Sequence, residues 1–505
     1  MSLRPASLLA ALIAACSFAA LAQGTPPQQQ PETGGLGGQN VPNPGGSGNS
    51  QAFSDPSLLF GGRAGAFFGL GFNRIPGEGN YINTTINTEF NLGPVGLGLA
   101  LPLNLLVYPQ SGINRDDIAY SGLIRKRDWD EPLDYFKFVR FLRYGHKRDP
   151  VYLLAGQLWG TSIGHGTLVS RYANSLNLDH TKFGIAFDVN TTFFGFETFT
   201  DSVGNPALLG GRAYVRPFGD TLFFRGWAIG ATVVTDRTAP RGYLTAAGAP
   251  SPTLQQDPQG NPLVASDSMF AGGVDTEFEV LHNSVISLIP YVDLNRIAGA
   301  GNGLHAGVLT DIYLPVPILE INVQARLEYR MMQAGYVPEY FDQTYDLGRV
   351  QYVGNCPSSF AGGACPKYVS AQRAHTGAAD PGAIDRKGYY GELAFAFAGL
   401  LQIGGLYQNY EGDPAGASLG LFATLPKFET IKISAYYLRK NMKSGFDDAF
   451  KLDERSLLAA SLAYKVFGHL YLRVDFQRRY VLQAGSTEIR TVDNFQAGLA
   501  MFVPF

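Results

Sequence analysis

The chain has 505 residues, 45% hydrophobic and only 16% charged, with 61 Gly, 12% aromatics, 3 Cys and a formal net charge of -3. Soluble chains carry about 25% charged residues and about 7% Gly; the aromatic and aliphatic content excludes whole-chain disorder, and the charge excludes a strongly basic nucleic-acid binder. After residue 22 no run of 18 uncharged apolar residues occurs, which excludes a helical membrane bundle and leaves a large β protein with one apolar outer surface.

Residues 1–22 read as a secretory signal peptide. Arg4 supplies the positive start, Leu8 to Ala15 the apolar stretch, and Ala20-Leu21-Ala22 the small-x-small cleavage site. Ile13-Ala14-Ala15-Cys16 also fits a lipoprotein signal with Cys16 acylated. Against this, Phe18 to Ala22 stays apolar after that cysteine. Residues 23–56 form a Gly/Pro/Gln-rich segment that cannot bury enough surface to offset its chain entropy, so a disordered periplasmic tail is expected. It is too short and glycine-rich for a globular plug.

From residue 57 to 505 the pattern has period two. In Ile318 to Arg330, Ile321, Val323, Ala325, Leu327 and Tyr329 share one face, and Glu320, Asn322, Gln324, Arg326, Glu328 and Arg330 the other. The spacing predicts strands near 62–73, 81–92, 95–106, 135–145, 150–160, 182–189, 191–200, 208–218, 222–235, 268–281, 284–294, 303–315, 318–332, 387–398, 401–411, 415–425, 428–438, 455–465, 469–480 and 491–505. Links between them alternate in length. Short ones fall at Gly93-Pro94, His146 to Asp149, Asn190, Gly219 to Thr221, His282-Asn283, Val316-Pro317, Gly399-Leu400, Pro426-Lys427 and Val466 to Gly468. Most others are longer, notably 107–134, 161–181, 236–267 and 333–386.

The last strand sharpens this rhythm. Phe495, Ala497, Leu499, Met501, Val503 and Phe505 alternate to the terminal residue. In this the chain resembles bacterial outer-membrane β-barrel proteins, which end in an alternating strand with a terminal aromatic. The resemblance is porin-like, without a specific subfamily. It implies an all-β fold, a transmembrane antiparallel up-and-down β-barrel of 18–20 strands with long extracellular loops. It also implies an outer-membrane location, contact with lipid and lipopolysaccharide, and an assembly signal at Phe495, Leu499, Met501, Val503 and Phe505 read by the barrel-assembly machinery. Tyr407, Tyr437 and Tyr480 fall near strand ends, where interfacial aromatic girdles sit.

A barrel of this size has room for an aqueous lumen. The polar faces place Asp275, Glu277, Glu279, Asp293 and Asp311 inward on one set of strands, and Arg212, Arg216, Arg326, Arg330, Lys432, Arg473 and Arg479 on another. These are the pore-lining candidates. Opposed rows would set a transverse field across passing solutes; the alternative is that the charges pair with each other. The charge-rich segment 122–148 reads as a solvated loop with a girdle facing lipid head groups, or else as an anion or polysaccharide contact. The long links 107–134, 236–267 and 333–386 are long enough to fold inward.

Cys356 and Cys365 are the mature cysteines, and after export a disulfide closing their small loop is expected. Zinc is the weaker alternative, because no His lies between them. Gly160 to Gly164 and Gly416 to Gly420 both match G-x-S-x-G, but that motif needs a strand-turn-helix context. Ser162 with His165 remains the candidate pair for a barrel hydrolase. The expected function is passive passage of polar or charged solutes, with no catalysis, cofactor or nucleic acid. A dedicated export barrel for a secreted polysaccharide is the alternative, and a polysaccharide or periplasmic partner is open.

Overall fold

The computed structural model describes residues 65–504 except 76–77, 175–181, 222–225, 245–254, 256–262, 317–318, 354–363, 377–384, 398–399, 412–416, 426–429, 443–444, 454–455, 483–488 and the single positions 131, 146, 148, 159, 220, 284, 343 and 351. The signal peptide, the tail, Cys16, Cys356 and Phe505 lie outside the described residues.

Twenty strands build one sheet. They are β1 Gly65–Ile75, β2 Gly79–Leu92, β3 Val95–Pro109, β4 Val139–Tyr144, β5 Val151–Gly156, β6 Gly184–Asn190 and β7 Phe194–Thr200. β8 Leu208–Val215, β9 Ala228–Tyr243, β10 Val264–Glu277, β11 Ile286–Ile297, β12 Gly301–Val316 and β13 Leu319–Met332 follow. β14 Arg386–Phe397, β15 Leu401–Glu411, β16 Ala417–Leu425, β17 Ile431–Met442, β18 Ser456–Phe467, β19 Leu470–Leu482 and β20 Ile489–Pro504 complete the set. Each is antiparallel to its sequence neighbour, and β1 pairs with β20 from Gly65 opposite Pro504 to Gly69 opposite Ala500. The sheet therefore closes, and every strand has two neighbours.

Alternation gives the two faces. On β13 Leu327 is 58% exposed, whereas Arg326, Glu328 and Arg330 are 4%, 3% and 0% exposed. The outer face carries Phe72, Val233, Val274, Leu294, Leu472 and Leu499. Hydrocarbon offers no partner to a free backbone group, so a closed sheet with this apolar exterior is suited to a bilayer. The chain is an outer-membrane-type up-and-down β-barrel. β20 is the closing strand expected from the C-terminal pattern. Leu499 faces out; the side chains of Phe495, Met501 and Val503 lie outside the described residues.

Three expected boundaries are corrected. The strand near 135–145 begins at Val139, because Pro132–Phe138 forms a 3₁₀ turn closed by a Lys137–Asp134 ion pair of 2.6 Å. The turn at Gly219 to Thr221 is part of a longer link, 216–227. Pro217 brings no N–H to the ladder there, and Phe218 stacks on Trp227 with ring centres 5.5 Å apart. β9 then continues past residue 235 to Tyr243 through two register shifts, one of them at Pro240, and so shortens the following link.

Candidate functional site

The described parts of the links 157–183 and 333–385, chiefly 160–174, 333–350 and 364–376, turn into the lumen. Gly156 leaves β5 at φ 123°, and Gly160, Gly164 and Gly166 also take positive φ. A Cβ on Gly164 would meet Arg212 Cδ at 3.1 Å, so the tip needs a residue without one. Thr161 bridges to Tyr172, and Ile163 N–H donates to Val169 O, which folds the first link into a narrow hairpin. The second link lays Phe341–Asp342 parallel to Val169–Ser170. It carries Tyr336, Tyr340, Phe341 and Tyr345, all buried, and the helix Lys367–His375. These rings pack with Leu158, Ile163, Leu168 and Tyr172 of the first link and with Leu208, Val234, Met269 and Ile297 of the wall. One apolar core therefore lies inside the barrel and joins the two links to its wall.

Ion pairs fix this core to the sheet. His165 stands between two acids: Nδ1 is 2.7 Å from Asp293 and Nε2 is 2.8 Å from Glu277. Ionised carboxylates only accept, so both ring nitrogens donate and the ring is a cation. Burial alone would lower its pKa, but Asp293 and Glu277 outweigh that and raise it to about 10. The ring stacks on Tyr291 at 4.0 Å and 10°. Thr167 donates to Asp293 at 2.5 Å, and Gly164 N–H to Glu197 at 2.7 Å.

A second cluster centres on Glu328. It pairs with Arg326 and with Arg330 (2.5 Å to Nε), meets His305 Nδ1 at 3.2 Å and accepts from Tyr291. Glu339, from the second link, stands 3.5 Å from each arginine. Arg330 lies 3.9 Å over the Tyr390 ring, Tyr390 bonds Glu392, and Glu392 pairs with Arg171 of the first link. Asp236 accepts from Tyr345 at 2.7 Å and from Arg349 at 2.9 Å. Lys182 bridges Asp201 and Asp346 at 2.7 and 2.9 Å.

The expected residues are thus placed as follows. Arg212 clasps Asp275 at 3.0 and 2.5 Å. Asp311 accepts from Asn322 at 2.9 Å, Arg473 pairs with Asp475 at 2.8 Å, and Lys432 is buried. Asp275, Glu277, Asp293, Arg212, Arg326, Arg330 and Arg473 are thus engaged in ion pairs, the alternative to two opposed open rows. Arg216 and Glu279 stand just past the ends of β8 and β10, where bonding to the next strand continues through Arg216 N–H to Phe193 O and through Phe278 and Val280 N–H to Pro290 O and Leu288 O. Arg216 donates to Asn190 Oδ1 and Thr191 O at 2.8 and 2.7 Å, and Glu279 pairs with His282 at 2.8 Å. The side chain of Arg479 lies outside the described residues. Segment 122–148 is also corrected, since Arg125, Asp128, Lys137 and Arg140 are buried rather than solvated. Arg125 pairs with Glu78 at 2.7 Å and Asp128 at 2.8 Å. Cys365 is disulfide-bonded.

Glu328, Arg171, Asp236 and Glu392 were not among the candidates. Arg326-x-Glu328-x-Arg330 was a usable signal, because period two puts all three on one face. The other three pair with residues far away in sequence and leave no local trace.

Ser162 Oγ accepts the Arg171 N–H at 2.9 Å. With both nitrogens of His165 held by acids, Ser162 and His165 form no nucleophile–base pair. Among the described residues His165, Asp275 and Asp293 bring donor atoms within 4.8 Å of one another. They do not fit a metal ion, because Arg212 already takes both Asp275 oxygens and the imidazolium has no free lone pair.

No family model matches the sequence, and no curated protein matches it. Among solved structures the chain is similar to OccK11 (OpdR) of Pseudomonas aeruginosa, at 11% identity over 88% of this chain and 96% of that one, TM-score 0.32. Wzi of Escherichia coli, described as a carbohydrate-binding outer-membrane barrel involved in group 1 capsule assembly, matches at 9% over 90% and 87%, TM-score 0.31. The siderophore receptor PirA of Acinetobacter baumannii matches at 8% over 87% and 80%, TM-score 0.32. These likenesses concern the overall fold only.

Proposed function

We propose that this barrel is a constricted outer-membrane channel for passive passage of small polar or charged solutes. The observation that carries the reading is the seating of links 157–183 and 333–385 inside the barrel by His165, Arg171, Glu339 and Arg349. Inward links narrow the lumen that an unobstructed barrel of this strand number would hold wide. No cofactor enters the reading, and neither Ser162 nor His165 has a catalytic part in it. Ion pairing of Arg326, Arg330 and Arg473 withdraws the free cationic track that polysaccharide export would use.

Planar-bilayer recording tests it. A small, stable unitary current is expected, and it should grow when residues 161–173 are replaced by a short Gly/Ser bridge. Absence of current in both proteins would overturn the channel reading. The reading extends to assembly, with lipid and lipopolysaccharide around the wall and the barrel-assembly machinery acting on β20. Deletion of Phe505 should lower the amount in outer-membrane fractions, and an unchanged amount would contradict that role.

A further inference from the structure

β17 follows the short link 426–430, so its C-terminal end is the outer one. Two neighbouring cations near that end serve opposite sides of the wall. Lys440 pairs with Asp342 of the second inner link at 3.5 Å. Arg439 falls on the other face, in register with Ile431, Ile433 and Tyr437. Tyr464, Leu462 and Leu421, which stand opposite those three residues, are exposed on the outer wall. Arg439 therefore springs from the lipid-facing register. Eight steps of about 3.3 Å from Ile431, tilted by about 45°, raise it about 19 Å within an apolar band about 25 Å tall. A charge there needs a counter-charge.

The link after β17, described over 445–453, supplies it. Gly445–Asp448 makes a 3₁₀ turn, and the chain folds back over the outside of the sheet. Arg439 is fully buried beneath it. Its Nε donates to Asp448 O at 3.0 Å and Nη2 to Asp448 Oδ1 at 2.8 Å, and the guanidinium also pairs with Asp453. Tyr437 donates to Ala449 O at 2.7 Å. Ala449 and Met442 pack with Ala417 and Leu419, all four buried. The link thus has a small apolar core of its own on the lipid side of the barrel.

Its tip stays out of that core. Phe450 is 70% exposed and Leu452 43%, and the Lys451 side chain between them 59%. The Phe450 ring stacks on Tyr437, with centres 5.9 Å apart at 24°. Two apolar side chains around a lysine suit a surface that is hydrocarbon below and anionic above, because the ammonium can reach up while its stem stays among chains. Lysine is depleted at contacts between protein surfaces, which disfavours a second barrel as the neighbour. Asp448, 3.3 Å from Lys451, is already held by Arg439, so the ammonium has donors left for a further anion.

We propose that segment 445–453 is a lipid-binding finger of the outer leaflet: Phe450 and Leu452 enter the acyl layer, and Lys451 binds the phosphate of an anionic lipid head group. The finger depends on the place of the barrel in the bilayer and not on conduction.

The test uses the full-length barrel in phosphatidylcholine vesicles. Phe450→Trp, at an exposed position, adds a reporter whose emission is read as the increment over the 3 native tryptophans. Phosphatidylcholine brominated high on its acyl chains should quench that increment several-fold more than aqueous acrylamide does. Brominated phosphatidylglycerol should be preferred at the reporter by about fivefold, the weight of one lysine near an anionic surface. Adding Lys451→Gln should remove this preference and leave the quenching by lipid. An increment quenched by acrylamide and by neither lipid would overturn the finger. Equal quenching by the two lipids with Lys451 present would overturn the phosphate contact. A disulfide between two copies through Leu452→Cys would overturn the finger in favour of a self-interface.

Discussion

Glu328→Gln should destabilise the barrel by about 3–5 kcal/mol. The carboxylate is the common partner of Arg326, Arg330, His305 and Tyr291. Burying a charge is tolerable only while its counter-charge stays beside it. The amide has nearly the same shape and removes only the charge, so two guanidiniums would share Glu339 at 3.5 Å as their nearest remaining acid. Urea unfolding of the protein in bilayers, followed by tryptophan fluorescence, measures the loss. Asp311→Asn is the control: that side chain is half-buried with amide partners, and its effect should stay below about 1 kcal/mol. Equal effects at the two positions would show that the Glu328 cluster has no special weight.

His165→Ala should release the first link rather than unfold the wall. The imidazolium is the cation between Glu277 and Asp293, and its removal leaves two acids facing each other at the socket, while Arg212 beside them is already paired with Asp275. Breaking a buried pair in this way costs about 3–5 kcal/mol, enough to open a link of this kind locally. Larger unitary current and faster proteolysis within 157–183 are expected. The same contact gives a pH profile of known sign. Because the folded value of His165, about 10, lies above its ordinary 6.5, the latch is at full strength below pH 6.5. It weakens as pH rises and is lost on passing about 10. Wild type and variant should therefore differ most below pH 6.5, where the latch is at full strength, and converge above about 10. A difference that persists undiminished in alkali would refute the latch.

The wall was legible because a strand advertises itself locally. Alternation along Ile318 to Arg330 sets register and face together, since a one-residue slip would send Leu327 inward and Arg326 into lipid. The closing strand was legible for the same reason. The interior was not. Tyr336, Tyr340, Phe341 and Tyr345 follow neither period two nor 3.6, so nothing in their spacing announces a core. Arg171 and Glu392 meet across 221 positions of sequence. The charge-rich stretch 122–148 looked solvated because composition counts charges without their partners, and Glu78, which satisfies Arg125, lies 47 positions earlier. Strand ends were displaced wherever a side chain had a competing use, as with Lys137 and Asp134 before β4.

Pairing of Gly65 with Pro504 also bears on how the barrel is completed. Of all neighbouring strand pairs among the described residues, β1 and β20 are the farthest apart along the chain. Contacts between remote segments form slowly, because the intervening chain must first be ordered. Until β1 and β20 pair, the sheet is an open ribbon whose inner face water can reach. The inner links therefore have a period in which to find Glu277, Asp293 and Glu392 while every charge is still hydrated. Sealing the cylinder comes after that search, so no unpaired ion has to be dragged through a wall already in hydrocarbon.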